Sequence, residues 1–230
     1  YMVDPATGNA WPLFGDNTHT YANSFGYDPY NHILYYVSEN YPAGSSNKTL
    51  KKYDFNTNTK STVIADITTT LNIPTFDQSL EGAGAAFYNG SLYLGVEGGK
   101  YNSSNPRKSI VYRIDFDASL NPISAEQVFA VPSYNTSGTM LQDWADFIIK
   151  NGTLYNFNSQ TGTTKISYEH FDMMTGQSVK YMNPGSTAYA GQAGMDWSGN
   201  LYDFFSTGIG ARRSPAGHRL PGRALGWWRG

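Results

Sequence analysis

The chain contains no cysteine, so a disulfide framework and a thiolate metal site are both excluded, and cysteine usage says nothing about the redox compartment. Charge is scarce too, at 15% of residues. Long apolar runs are missing: stretches such as Phe147-Ile148-Ile149 fall far short of the roughly 20 residues that span a bilayer. No transmembrane helix is predicted. Also absent are a Gly-x-Ser-x-Gly elbow, a His-Glu-x-x-His helix, a Walker loop and a Ser-x-Asp-x-Gly-x-Thr-Trp box, so the chemistries those patterns carry have no support here. The chain starts at Tyr1 with neither an initiator Met nor a charged-then-apolar leader, which predicts a processed or excised segment.

What is present points to β structure. Aromatics make up 15% of the chain and Tyr alone occurs 18 times, among many Asn, Ser, Thr and Gly, a composition that suits pleated surfaces joined by tight turns. With 230 residues the chain can bury a sizeable core. Five Asn-x-Ser/Thr sequons stand at Asn47, Asn89, Asn102, Asn135 and Asn151. Two of them, Asn89-Gly90 and Asn151-Gly152, read first as hairpin turns, because Asn-Gly supplies the positive φ angles such turns need.

A Leu-Tyr pair returns four times, at Leu34-Tyr35, Leu92-Tyr93, Leu154-Tyr155 and Leu201-Tyr202, with spacings of 47 to 62 residues. Each follows a strand of small and apolar residues and a turn. After the first three comes an alternating segment ending in a hydrophobic residue and Asp: Tyr53-Asp54, Ile114-Asp115 and Phe171-Asp172. These are third strands. A further turn leads to fourth strands at 61–65, 126–131 and 178–182. The predicted fold is therefore an all-β propeller of four-stranded antiparallel blades, with a β-sandwich as the alternative.

Three complete blades and two half blades are expected within residues 1–210. Tyr1-Met2-Val3-Asp4-Pro5-Ala6-Thr7-Gly8 matches a third strand and its turn, and residues 10–14 a fourth strand, whereas 189–206 supply first and second strands without a third. Joining the two ends would give a four-bladed ring; the other reading is a segment of a longer propeller. Residues 211–230 depart from the repeat. Residues 1–210 hold eleven basic residues against 18 acids, net −7, while the tail holds five Arg and no acid, net +5. A basic tail suits anionic partners, but its abrupt switch to Arg, Gly, Pro and Ala reads as irregular or artefactual sequence, and no nucleic-acid partner is expected.

At Asp143-Trp144-Ala145-Asp146-Phe147, at Gly191-Gln192-Ala193-Gly194-Met195-Asp196-Trp197 and at Val3 to Gly8, the chain resembles a family of uncharacterised secreted or surface β-propeller repeats. These are distantly similar to YVTN-like, seven-bladed-propeller repeats. The resemblance covers roughly residues 1–208 and implies an extracellular location. It carries structural motifs only, so no catalytic residue transfers.

Three groups of residues are candidates for function. Eleven residues before each Leu stand Asn23, Glu81, Asp143 and Ala190; oxygen donors gathered from different blades about an axis suit calcium or another hard cation. Five residues after each Leu stand Glu39, Glu97, Ser159 and Ser206, where paired carboxylates meeting at about 5 to 9 Å would permit acid-base work. Tyr41, Tyr101 and Tyr134 lie on long loops beside Asn and Ser, and offer stacking and hydrogen bonding to sugars or peptides. His19, His32 and His170 fall at unrelated repeat positions, so no shared metal site is expected of them. The functional expectation is a non-enzymatic extracellular binding or scaffold module with a glycan or protein ligand and no cofactor. The alternative is a calcium-dependent, lactonase-like hydrolase using Asn23, Glu81 and Asp143.

Overall fold

The computed structural model describes residues 2–4, 7, 9–12, 21–39, 48–70, 80–98, 108–132, 144, 147–159, 166–182, 190–195, 201–205 and 208–212. Strands dominate them. β1 (Met2–Val3) and β2 (Ala10–Trp11) pair as a two-stranded sheet. Blade 1 comprises β3 (Tyr21–Asp28), β4 (Ile33–Glu39), β5 (Lys48–Asp54) and β6 (Thr59–Ile64), followed by one helical turn, α1 (Ile67–Thr70). Blade 2 comprises β7 (Leu80–Tyr88), β8 (Ser91–Gly98), β9 (Lys108–Phe116) and β10 (Pro122–Pro132). Blade 3 comprises β11 (Phe147–Lys150), β12 (Thr153–Ser159), β13 (Ile166–Asp172) and β14 (Ser178–Met182). A last sheet holds β15 (Ala190–Met195), β16 (Leu201–Phe205) and β17 (Gly208–Arg212).

Every sheet is an antiparallel meander whose strands lie in sequence order. Its first strand faces the next sheet's first strand: β3 lies against β7, β7 against β11, and β11 against β15. Four-stranded sheets with their first strands side by side are the blades of a propeller. The alternation of the sequence explains the layering. β9 sits inside blade 2 and is buried on both faces over 109–112, whereas β10, at the outer edge, is mostly exposed or half-buried.

Two hydrophobic clusters join consecutive blades. The first brings Ile33, Tyr35, Val37 and Leu50 of blade 1 against Leu92, Leu94, Val96 and Ile114 of blade 2. The second brings Ala86, Val111 and Phe129 of blade 2 against Phe147, Ile149, Leu154 and Phe171 of blade 3, with Trp144 between them. The Leu of the second and third Leu-Tyr pairs thus faces the preceding blade. Leu92 and Leu154 are fully buried there.

Tyr35, which faces blade 2, stacks on Phe87 at 5.9 Å and lies tilted against Phe116 at 5.0 Å. Its hydroxyl is buried and has no hydrogen-bond partner among the described residues. Burial, with the charge of Asp28 adding to it, pushes that hydroxyl well above the ordinary tyrosine range. Removing an unpaired buried hydroxyl relieves a desolvation cost, so Tyr35→Phe is expected to raise the unfolding free energy by about 1 kcal/mol, read from the urea midpoint.

The hairpin turns follow the Asn-Gly reading. Asn89 and Gly90 have φ of 49° and 83°, and Asn151 and Gly152 have φ of 51° and 74°, the paired positive values of a type I′ turn. Blade 1 differs, with Pro29 to His32 between the partners Asp28 and Ile33. One expectation requires correction. The last sheet does have a third strand, because Gly208–Arg212 pairs with β16; the breakdown of side-chain pattern there hid a segment whose backbone still completes a ladder.

Candidate functional site

The candidate axial column enters the fold on the first strands. Asn23 lies in β3 opposite Val37, Glu81 lies in β7 opposite Glu97, and Ala190 lies in β15 opposite Phe205. Because β3 and β7 adjoin, Asn23 and Glu81 belong to neighbouring strands. They do not occupy one register position, however. The residue paired with Glu39, five after its Leu, is Tyr21, whereas the residue paired with Glu97, five after its Leu, is Glu81. The four-residue turn of blade 1, two longer than Asn89-Gly90, displaces the count by two. Counting back from Leu therefore joins positions that the ladders separate. Asp143, like Tyr41, Tyr101, Tyr134, His19 and Ser206, lies outside the described residues. Ser159 pairs with Ile166, and Glu97 also pairs with Ser109.

Most of the described carboxylates are already committed to local structure. Asp28 accepts hydrogen bonds from the Tyr30 amide at 2.9 Å, the Asn31 amide at 3.2 Å and Asn31 Nδ2 at 2.7 Å. Asp54 accepts from the Asn56 and Thr57 amides at 2.8 and 3.3 Å. Asp117 accepts from the Ser119 and Asn121 amides, each at 2.9 Å. Asp172 accepts from the Met174 and Thr175 amides at 2.9 and 2.8 Å and from Thr175 Oγ1 at 3.0 Å. Side-chain oxygens that bond the backbone two and three residues on are the means by which Asp holds a turn. The hydrophobic-Asp signature of the repeat is thereby explained for blades 1 and 3.

In blade 2 the corresponding Asp115 is held within the sheet. Ser91 Oγ donates to it at 2.6 Å, and Arg113 Nε lies 3.0 Å away while also reaching Glu126 at 2.9 Å through its terminal nitrogen. The turn there is held by Asp117. Burial works against ionisation of Asp115, yet the Ser91 hydroxyl and the Arg113 guanidinium outweigh it and hold the carboxyl below the usual range. The amide of Asn56 does the same for Asp54, that of Asn121 for Asp117, and that of Thr175 for Asp172.

A depressed folded-state pKa contributes stability that is present above the unfolded value, about 3.9, and is lost as pH falls through the folded value. Thermal unfolding followed from pH 5 to pH 2 is therefore expected to show a falling midpoint. In Asp172→Asn the fall is shallower, since an amide oxygen can still accept from the turn but does not titrate.

Glu169 and Asn156 are buried polar residues that the sequence pattern did not single out; they are cross-strand partners in blade 3, at 1% and 0% exposure. Only the alternation of β13 and β12 could have pointed to them. Among the described residues, no group of three or more His, Cys, Asp or Glu is placed to hold a metal ion. No helix among them is long and apolar enough to cross a membrane.

No family model matches the chain, and no curated protein matches it. Among solved structures, a puromycin hydrolase is similar over 85% of this chain and 27% of its own, with 15% identity and a TM-score of 0.48. The extracellular domain of a putative hybrid two-component system from B. thetaiotaomicron is similar over 94% of this chain and 23% of its own, with 11% identity and a TM-score of 0.44. TolB from Acinetobacter baumannii is similar over 80% of this chain and 52% of its own, with 13% identity and a TM-score of 0.30. The chain thus spans about a quarter of the length of the first two. The propeller architecture rests on the sheets and their packing.

Proposed function

We propose that the chain is a non-enzymatic binding or scaffold module of propeller type that works outside the cell and takes a glycan or protein ligand on the loops carrying Tyr41, Tyr101 and Tyr134. One observation carries this reading. Asp54, Asp117 and Asp172 accept hydrogen bonds from turn amides and Asp115 is held within the sheet by Ser91 and Arg113, so these four carboxylates serve the frame itself. A rigid frame of this kind leaves variable loops to recognise ligands.

The test is a glycan array together with a screen of secreted protein ligands. Binding is expected, and Tyr41→Ala, Tyr101→Ala and Tyr134→Ala combined should weaken it at least tenfold. Binding that survives the triple substitution would place recognition elsewhere. A second reading, the calcium-dependent hydrolase, draws on the register pairing of Glu81 with Glu97 and on Asn23 and Asp143. Titration with Ca²⁺, Mg²⁺ or Zn²⁺ during thermal unfolding separates the two, because a cation bound by the folded state alone raises the midpoint. Under the binding-module reading no midpoint shift is expected.

A further inference from the structure

The chain holds two Asn-Gly pairs, Asn89-Gly90 and Asn151-Gly152, and the fold sets them in equivalent places. Each is the two-residue turn between the first and second strands of its blade, closed by the partners Tyr88 and Ser91 in one case and Lys150 and Thr153 in the other. The φ angles belong to one turn type, both Asn residues are exposed, and a Cβ on either glycine would meet nothing within 4 Å. Backbone conformation, exposure of the Asn and open space at the turn are therefore shared.

The two turns differ at one atom. The Gly152 amide donates to the Tyr88 hydroxyl at 3.1 Å, across the interface between blades 2 and 3. The Gly152 carbonyl accepts from the Met173 amide at 3.0 Å, so this glycine is held on both sides. Tyr88 is itself fixed: it ends β7, packs against the second hydrophobic cluster and has its ring 6.4 Å from that of Tyr93. A β-turn bonds its outer residues to each other and leaves the amide at its third position to water or to another group. For Gly90 no such group is present among the described residues.

That amide is the reactive atom of an Asn-Gly pair. Once it gives up its proton, its nitrogen attacks Cγ of the Asn side chain; the N–Cγ bond forms, the Cγ–Nδ2 bond breaks, and the side-chain nitrogen leaves with a proton as ammonia. Water then opens the resulting succinimide at one of its two carbonyls, giving Asp or isoAsp. Glycine favours the attack, because it has no Cβ to crowd the ring and its backbone turns freely. An amide committed to an acceptor must first lose that bond, so the bond slows the step by what it is worth.

We propose that Asn89 is a site of spontaneous deamidation in the folded protein, and that the Tyr88 hydroxyl protects Asn151, one blade away, from the same reaction. The product at Asn89 carries a new negative charge, and isoAsp adds a methylene to the backbone of the turn joining β7 to β8. Because β7 packs against both β3 and β11, the change falls at the end of a strand that two neighbouring blades share.

The test is incubation of the folded protein in mildly alkaline buffer, with Asp and isoAsp counted at each site by peptide mapping. Asn89 is expected to react about fivefold faster than Asn151, the factor that one net hydrogen bond confers, and Tyr88→Phe is expected to bring Asn151 up to the Asn89 rate. In urea the two sites should react alike, since the residues that follow the glycines, Ser91 and Thr153, differ by one methyl group. Equal rates in the folded protein overturn the proposal, and so does a difference that persists in Tyr88→Phe or in urea. Amide hydrogen exchange on the unsubstituted chain gives a reading that needs no variant. The Gly152 amide is expected to exchange more slowly than that of Gly90, and equal protection overturns the proposal.

Discussion

Phe171→Ala is expected to lower the unfolding free energy by about 3–5 kcal/mol, the range for truncating a buried aromatic that leaves a cavity. Phe171 is 0% exposed, stacks on Phe129 of blade 2 at 5.2 Å, and lies 5.2 Å from the Trp144 ring. The lost contacts therefore belong to two blades at once. Urea unfolding followed by tryptophan emission reads the change. A cost under about 1 kcal/mol, the size of a surface substitution, would mean that blades 2 and 3 do not depend on this cluster for cohesion.

Gly95→Ala is expected to cost about 1–3 kcal/mol, as overpacking of a filled interface does. A Cβ at Gly95 would lie 2.7 Å from Phe147 Cε1, 3.3 Å from Trp144 Cγ and 3.4 Å from the Gly84 carbonyl oxygen. The two aromatic rings are held on both sides by the second cluster and have little room to give. Phe147→Leu removes the ring edge that meets the new methyl. The double variant is thus expected to be more stable than the two separate costs add up to, and a coupling near zero would show that the clash is relieved by backbone movement.

Much of this architecture was legible in the sequence because blades are built from local rules. The third strands expected around Ile114-Asp115 and Phe171-Asp172 are observed at Lys108–Phe116 and Ile166–Asp172, since alternation of side chains fixes strand and face together. The Asn-Gly turns were legible for a similar reason: few residues tolerate paired positive φ. The candidate site was less so. A column counted along the sequence assumes turns of equal length, and the four residues of the blade 1 turn break that assumption for Asn23. The carboxylate roles were hidden as well, because an Asp that holds a turn and an Asp that waits for a ligand look alike until their partners are placed.

Composition, periodicity and turn chemistry thus determined an all-β chain of repeating four-stranded units with Leu-Tyr in the second strand. Tertiary structure decided which face of each unit meets which neighbour. It also decided that Trp144 closes the second interface, that Tyr35 buries its hydroxyl, and that β17 stands beside β16. The reason is physical. Strand pattern is set by contacts within a few residues, whereas the burial of Phe147 and the exposure of Phe25, at matching positions of two blades, depend on whether another sheet lies alongside.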